Sequence, residues 1–182
     1  MFHTLSYIGE QLNQSNILWG VGASILLHQF NLVDKPNDID IFVDLKDIEK
    51  ADEILSKIGE KKQREKTSTY STKYFYEYII NGFDVDVMSG FIINHRSGTF
   101  EYTFDHHSIS SLKKINGVEI PFTSLEDWYV LYQLIPNREA KVRLIENYLQ
   151  SNGVQKPVLL ERALEGNLPI EVTENIKRML KQ

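Results

Sequence analysis

The stretch WGVGASILLHQFNLVDKPNDIDIFV, Trp19 to Val43, decides the fold. Ile17 to Val21 is a brief apolar run ending at Gly22, the pattern of a short buried strand closed by a tight turn. Ala23 to Phe30 follows with Ile25, Leu26, Leu27 and Phe30 apolar, which predicts a helix, and Asn31 to Asn37, with Pro36, is a polar loop. Asp38 to Val43 then alternates. Ile39, Ile41 and Val43 fall on one face of a strand; Asp38, Asp40 and Phe42 fall on the other. A later run, Phe83 to Met88 (FDVDVM), alternates in the same way, with Asp84 and Asp86 on one side and Phe83, Val85 and Val87 on the other.

Upstream of this stretch, Leu5, Ile8 and Leu12 repeat at helical spacing, with Thr4 as the expected N-cap. Downstream, Asp44 and Asp47 have the spacing of a capping box. Ile48, Ala51, Leu55 and Ile58 give the next helix its apolar stripe, and Gly59 stops it. Glu60 to Thr69 is charged and aperiodic, a solvated loop or strand extension. Tyr74 to Ile80 is aromatic and β-branched, a strand joined to Phe83–Met88 by Asn81-Gly82, the strongest short hairpin signal. Phe91–Asn94 and Thr99–Phe104 flank a turn at His95–Gly98, and Asn116-Gly117 marks a second tight hairpin before Val118–Phe122. The pattern turns helical at Ser124, with Ser124 and Asp127 as a capping box. Helices are expected to about Ile135, over Arg138–Gln150, Pro157–Leu164 and Glu171–Leu180. This predicts an α/β (α+β) chain, a mixed twisted sheet core over 1–122 with a helical part over 123–182 packed on it.

Composition narrows the function. An apolar fraction of 42% supplies a real core, and a net charge of -5 argues against bulk electrostatic binding to nucleic acid while leaving room for a local basic cleft. The absence of cysteine removes disulfides, thiolate metal sites and a cysteine nucleophile. The N-terminus lacks the apolar run of a signal peptide, and no stretch approaches the roughly 18 apolar residues of a membrane span, so a cytoplasmic location is expected.

Charges on a strand with a buried face are costly unless compensated. Asp38 and Asp40 share a face roughly 6.5–7 Å apart by the standard strand rise, and Asp86 joins them if its strand pairs alongside. A hard divalent cation relieves repulsion among such carboxylates, and Mg²⁺ binds through one or two carboxylates plus substrate phosphates. Two such ions clamp both oxygens of an in-line displacement. The turn at Gly20–Ser24 supplies the complementary half: small residues admit a phosphate, and the amides of a helix N-terminus donate to it.

The combination of glycine turn, helix, Asp-Ile-Asp-Ile strand and later Val-Asp-Val strand resembles the nucleotidyltransferase fold shared by DNA polymerase beta and the minimal nucleotidyltransferases. The run Pro36-Asn37-Asp38-Ile39-Asp40-Ile41 is similar to that of the lincosamide and aminoglycoside nucleotidyltransferases. The motifs cover about residues 17 to 90. The resemblance implies that Asp38 and Asp40 ligate Mg²⁺ or Mn²⁺, that Asp86 is the third carboxylate (bridging the second metal or deprotonating the acceptor hydroxyl), and that Gly22, Ala23 and Ser24 hold the triphosphate. Two departures stand out. The turn reads Gly-Ala-Ser where relatives have Gly-Ser or Gly-Gly, and Lys35 stands near where relatives often carry an arginine. Asp84 competes with Asp86 for the third role; Asp86 is the acid of the Val-Asp-Val match.

Among the remaining residues, Arg138 and Lys141 could flank the cleft and hold phosphate, or form an ordinary solvated helix face. His106 and His107, adjacent on an extended chain, point apart and are read as a polar loop. His28 is read as a packed histidine, and Trp128 with Tyr132 at i, i+4 as core. The expected reaction moves a nucleoside monophosphate from a triphosphate, ATP being the first candidate, to an acceptor hydroxyl, on a small molecule by charge and length. The alternatives are a toxin-type enzyme acting on RNA or protein, and a nucleotide-binding or interaction module without turnover.

Overall fold

The structure, a computed structural model, describes residues 1–63, 65 and 67–181. Its centre is a mixed seven-stranded sheet in the order β3-β4-β5-β2-β1-β9-β8. These strands are β1 (Trp19–Val21), β2 (Ile39–Val43), β3 (Glu60–Lys61), β4 (Tyr74–Ile80), β5 (Phe83–Ser89), β8 (Ile109–Ile115) and β9 (Val118–Thr123). The strand with Asp40 lies in the middle, antiparallel to β1 and parallel to β5. Two further strands, β6 (Ile92–His95) and β7 (Gly98–Glu101), pair with each other as a separate hairpin.

The alternation read from the sequence is the burial that results. Ile39, Ile41 and Val43 are buried on one face of β2. On the other, Phe42 is ringed by Phe91, Tyr102, Phe104 and Trp128, with centroids 4.9–5.8 Å away. Both Asn-Gly turns form with positive φ at each residue, 51° and 77° at Asn81-Gly82 and 49° and 84° at Asn116-Gly117. That is the primed turn whose twist matches a two-residue hairpin.

The helices are α1 (Phe2–Gln14), α2 (Ala23–Gln29), α3 (Ile48–Ile58), α4 (Leu125–Leu134), α5 (Glu139–Asn152), α6 (Pro157–Leu164) and α7 (Ile170–Met179). Helix α4 is buried nearly end to end and packs against α2, α5, α6 and α7, so the helical part and the sheet share one apolar core. No described helix is long and apolar enough to cross a membrane.

Two helix starts differ from expectation. Helix α1 begins at Phe2, so Thr4 is a buried residue inside it and not its cap. Asp44 closes a tight turn instead of capping α3, accepting from the Lys46 N–H at 3.0 Å, while Asp47 occupies the N-cap position and its carboxylate accepts from the Leu18 N–H at 3.0 Å. Residues bunched this closely have several backbone donors in reach, and spacing alone does not rank them. The histidine pair sits in a single 3-10 turn, His106–Ser108, capped by Asp105, which also pairs with Arg162 of α6 at 2.9 Å.

Candidate active site

Strand pairing brings the acids together. In the parallel pair β2–β5, Asp40 stands directly opposite Asp86. In-register neighbours share a sheet face about 5 Å apart. Asp38, Asp40 and Asp86 line one cavity of ≈ 320 Å³, which Arg138, Lys141 and Tyr132 also line. Asp84 does not line it. Its carboxylate is exposed and pairs with Lys62 at 2.7 Å.

Burial pushes the Asp40 carboxyl well above the usual carboxylate range, and the neighbouring charges of Asp38 and Asp86 push it further; Lys141 opposes them. Burial in turn pulls the Lys141 ammonium below the usual lysine range, helped by Arg138 and opposed by Asp40 and Asp38. The Lys141 Nζ lies 3.4 Å from the Tyr132 Oη. The site is therefore a set of crowded hard oxygens facing two cations.

Among the described residues no three His, Asp or Glu side chains gather closely enough to form a ready-made metal cage. The donor set still suits a hard divalent ion, because Mg²⁺ is held by one or two carboxylates and completed by substrate phosphates.

The glycine turn is built around an aromatic ring. A Cβ on Gly22 would meet Trp128 Nε1 at 2.3 Å and two ring carbons at 2.5 and 2.6 Å. The ring cannot step back easily. Its Nε1–H donates to Thr123 Oγ1 at 2.9 Å, and that hydroxyl donates to the Val21 carbonyl at 3.0 Å. Gly22→Ala is thus expected to lower unfolding stability by about 1–3 kcal/mol, the usual range for overpacking a filled site. Urea denaturation followed by tryptophan fluorescence measures it.

Each turn residue has its own task. The Gly22 N–H donates to the Asp40 carbonyl at 3.0 Å, tying β1 to the acidic strand. Ala23 has φ 47°, a strained value for a residue with a Cβ, and lines the cavity. The buried Ser24 hydroxyl donates to the Asp38 carboxylate at 3.2 Å and accepts from the Asn37 N–H at 3.2 Å. It orients the first acid and is not directed into open space. Lys35 is exposed on the loop before β2 and does not line the cavity.

Sequence reading missed several wall residues. Glu77 of β4 stands opposite Asp86 and lines the cavity, as do Tyr70 and Phe75. Glu77 was detectable: it is the sole acid in YFYEYII, on the strand paired with FDVDVM, but its partner depends on hairpin register. Trp128 and Tyr132 are core residues, as their spacing predicts, and cavity wall as well. A larger groove of ≈ 760 Å³ adjoins the cavity, the two meeting at Tyr132 and Ile135.

No family model and no curated protein matches the sequence. Solved structures are similar. A Thermotoga maritima protein with a provisional nucleotidyltransferase name is 25% identical, with a TM-score of 0.61 over 82% of this chain and 92% of that one. The chain is related to the nucleotidyltransferases. The nucleotidyltransferase fold also appears at lower identity. The lincosamide antibiotic adenylyltransferase LnuA, bound to lincomycin, is 15% identical at TM-score 0.54, over 79% of this chain and 95% of that one. The antibiotic-resistance factor ANT(2'')-Ia, in complex with adenylyl-2''-tobramycin, is 12% identical at TM-score 0.54, over 97% and 94%. In this chain the nucleotidyltransferase fold ends in helices α4–α7, of which α4 and α5 line the acidic cavity.

Proposed function

We propose that the chain is a metal-dependent nucleotidyltransferase that moves a nucleoside monophosphate from a triphosphate to a hydroxyl of a small molecule. The observation that carries this reading is the in-register pair Asp40–Asp86, with Asp38, in a cavity that two cations also line.

In this reading Asp38, Asp40 and Asp86 hold Mg²⁺ or Mn²⁺, which would neutralise charge on the reacting phosphates. Lys141 and Arg138 face the triphosphate from α5 and the segment before it. The backbone at Gly22, Ala23 and Ser24 flanks it from the sheet, and Lys35, on the exposed loop before β2, is available to its outer phosphates. Phosphoryl chemistry of this kind asks mainly for positioning and charge, which these residues supply. A small-molecule acceptor is supported by the adjoining groove, whose volume suits a drug-sized ligand. It is supported also by the antibiotics present in two of the similar structures. The intracellular reading of the sequence agrees with use of a cellular triphosphate.

Calorimetric titration with a non-hydrolysable ATP analogue tests the assignment. Binding is expected with Mg²⁺ and is expected to be lost without it or in Asp38→Asn/Asp40→Asn. Equal binding by the double variant would remove the acids from the site, and no binding to any triphosphate would end the enzymatic reading.

A further inference from the structure

A fourth carboxylate lies in line with the metal-site acids. Asp40 of β2 pairs with Asp86 of β5, and Asp86 pairs with Glu77 of β4, so the three acids form one row across adjacent strands. All three line the same cavity. With strands about 4.8 Å apart, Glu77 is one spacing from Asp86 and about 10 Å from Asp40 along the row.

The row has a direction. The turn at Gly22–Ser24 leaves β1, on the other side of β2 from β5 and β4. Phosphates held by that turn place the leaving pyrophosphate on the β1 side. An in-line displacement then brings the attacking oxygen from the opposite side, toward β5 and β4. There Glu77 is the carboxylate one strand beyond the acids that hold the ion.

We infer that Glu77 is a further catalytic residue, the group that receives the acceptor hydroxyl and takes its proton. The inference rests on the nucleotidyltransferase reading of the site. In the step, the acceptor oxygen bonds to the α-phosphorus while the bond from that phosphorus to the bridging oxygen breaks. Pyrophosphate leaves with the electron pair, and the hydroxyl proton passes to the Glu77 carboxylate, which later returns it to water. Asp86, directly beside Asp40, then serves the metal and not the proton.

The test uses water as the acceptor: release of pyrophosphate from ATP with Mn²⁺, read beside Mn²⁺ affinity by electron paramagnetic resonance and affinity for the non-hydrolysable analogue. Glu77→Gln is expected to slow release by about 10²-fold or more, the usual contribution of a positioned proton acceptor. Mn²⁺ and analogue affinities are expected to stay within about twofold of wild type, as they should if the residue touches neither ligand. Asp86→Asn, the comparator, is expected to weaken Mn²⁺. Unchanged release in Glu77→Gln overturns the inference while leaving the reading of the site intact. Loss of Mn²⁺ affinity in Glu77→Gln overturns it also, since Glu77 would then serve the metal. Wild-type protein that binds neither Mn²⁺ nor the analogue overturns the reading itself and this inference with it. The two failures are therefore distinct.

Discussion

Asp40→Asn is expected to cut metal-dependent pyrophosphate release by about 10³-fold, because charge stabilisation by a bound metal is worth several kcal/mol and each 1.4 kcal/mol is a factor of ten. It is also expected to leave the ion-free protein at least as stable as wild type at pH 7. The second expectation follows from the direction of the Asp40 shift. Burial, Asp38 and Asp86 raise this carboxyl in the folded state. Between the unfolded value near 3.9 and the raised folded value, the native state binds more protons than the unfolded one, so stability falls as pH rises. Asparagine carries no charge and escapes that penalty. Melting curves should therefore separate variant from wild type at pH 7 and converge as the pH approaches 4. Adding Mn²⁺ should raise the melting temperature of wild type far more than that of Asp40→Asn. A variant that is less stable at pH 7 and still active would show that Asp40 is an ordinary structural acid.

The second large effect distinguishes the two acids of FDVDVM. Asp86→Asn is expected to reduce turnover by about 10²-fold or more, since it removes an acid from the floor of the cavity. Asp84→Asn is expected to have almost no effect on turnover or on Mn²⁺ affinity. Asp84 faces solvent, and its partner Lys62 is itself exposed. Pyrophosphate release and Mn²⁺ titration of the two variants decide the matter, and a severe Asp84→Asn beside a mild Asp86→Asn would exchange their roles. The structural basis is register: Asp86, and not Asp84, stands opposite Asp40. Asp84 faces Ile79 across the hairpin.

The sequence by itself determined the secondary structure around the site and the strand faces on which its aspartates lie. Period-two alternation over Asp38–Val43 and Phe83–Met88 fixes which side chains share a face, because successive side chains on a strand must point opposite ways. Asn81-Gly82 and Asn116-Gly117 fix two hairpins, because each turn needs two residues that accept positive φ. These are local facts, set by the backbone of a few consecutive residues.

Tertiary structure alone decided what meets across the chain. That Asp40 faces Asp86, and Asp86 faces Glu77, depends on register between strands far apart in sequence. That Ser24 turns its hydroxyl to Asp38 depends on the path of the loop between α2 and β2. Gly22 is required by an indole from Trp128, more than a hundred residues later. Arg138 and Lys141 line the same cavity as the acids because α4 buries its length in the core and sets α5 beside the cavity. The physical reason is the same in each case. Local propensity acts through neighbours along the chain, whereas hydrophobic burial is non-directional and rewards any packing that hides the apolar faces. Which polar groups come to face one another is settled only when that packing is complete.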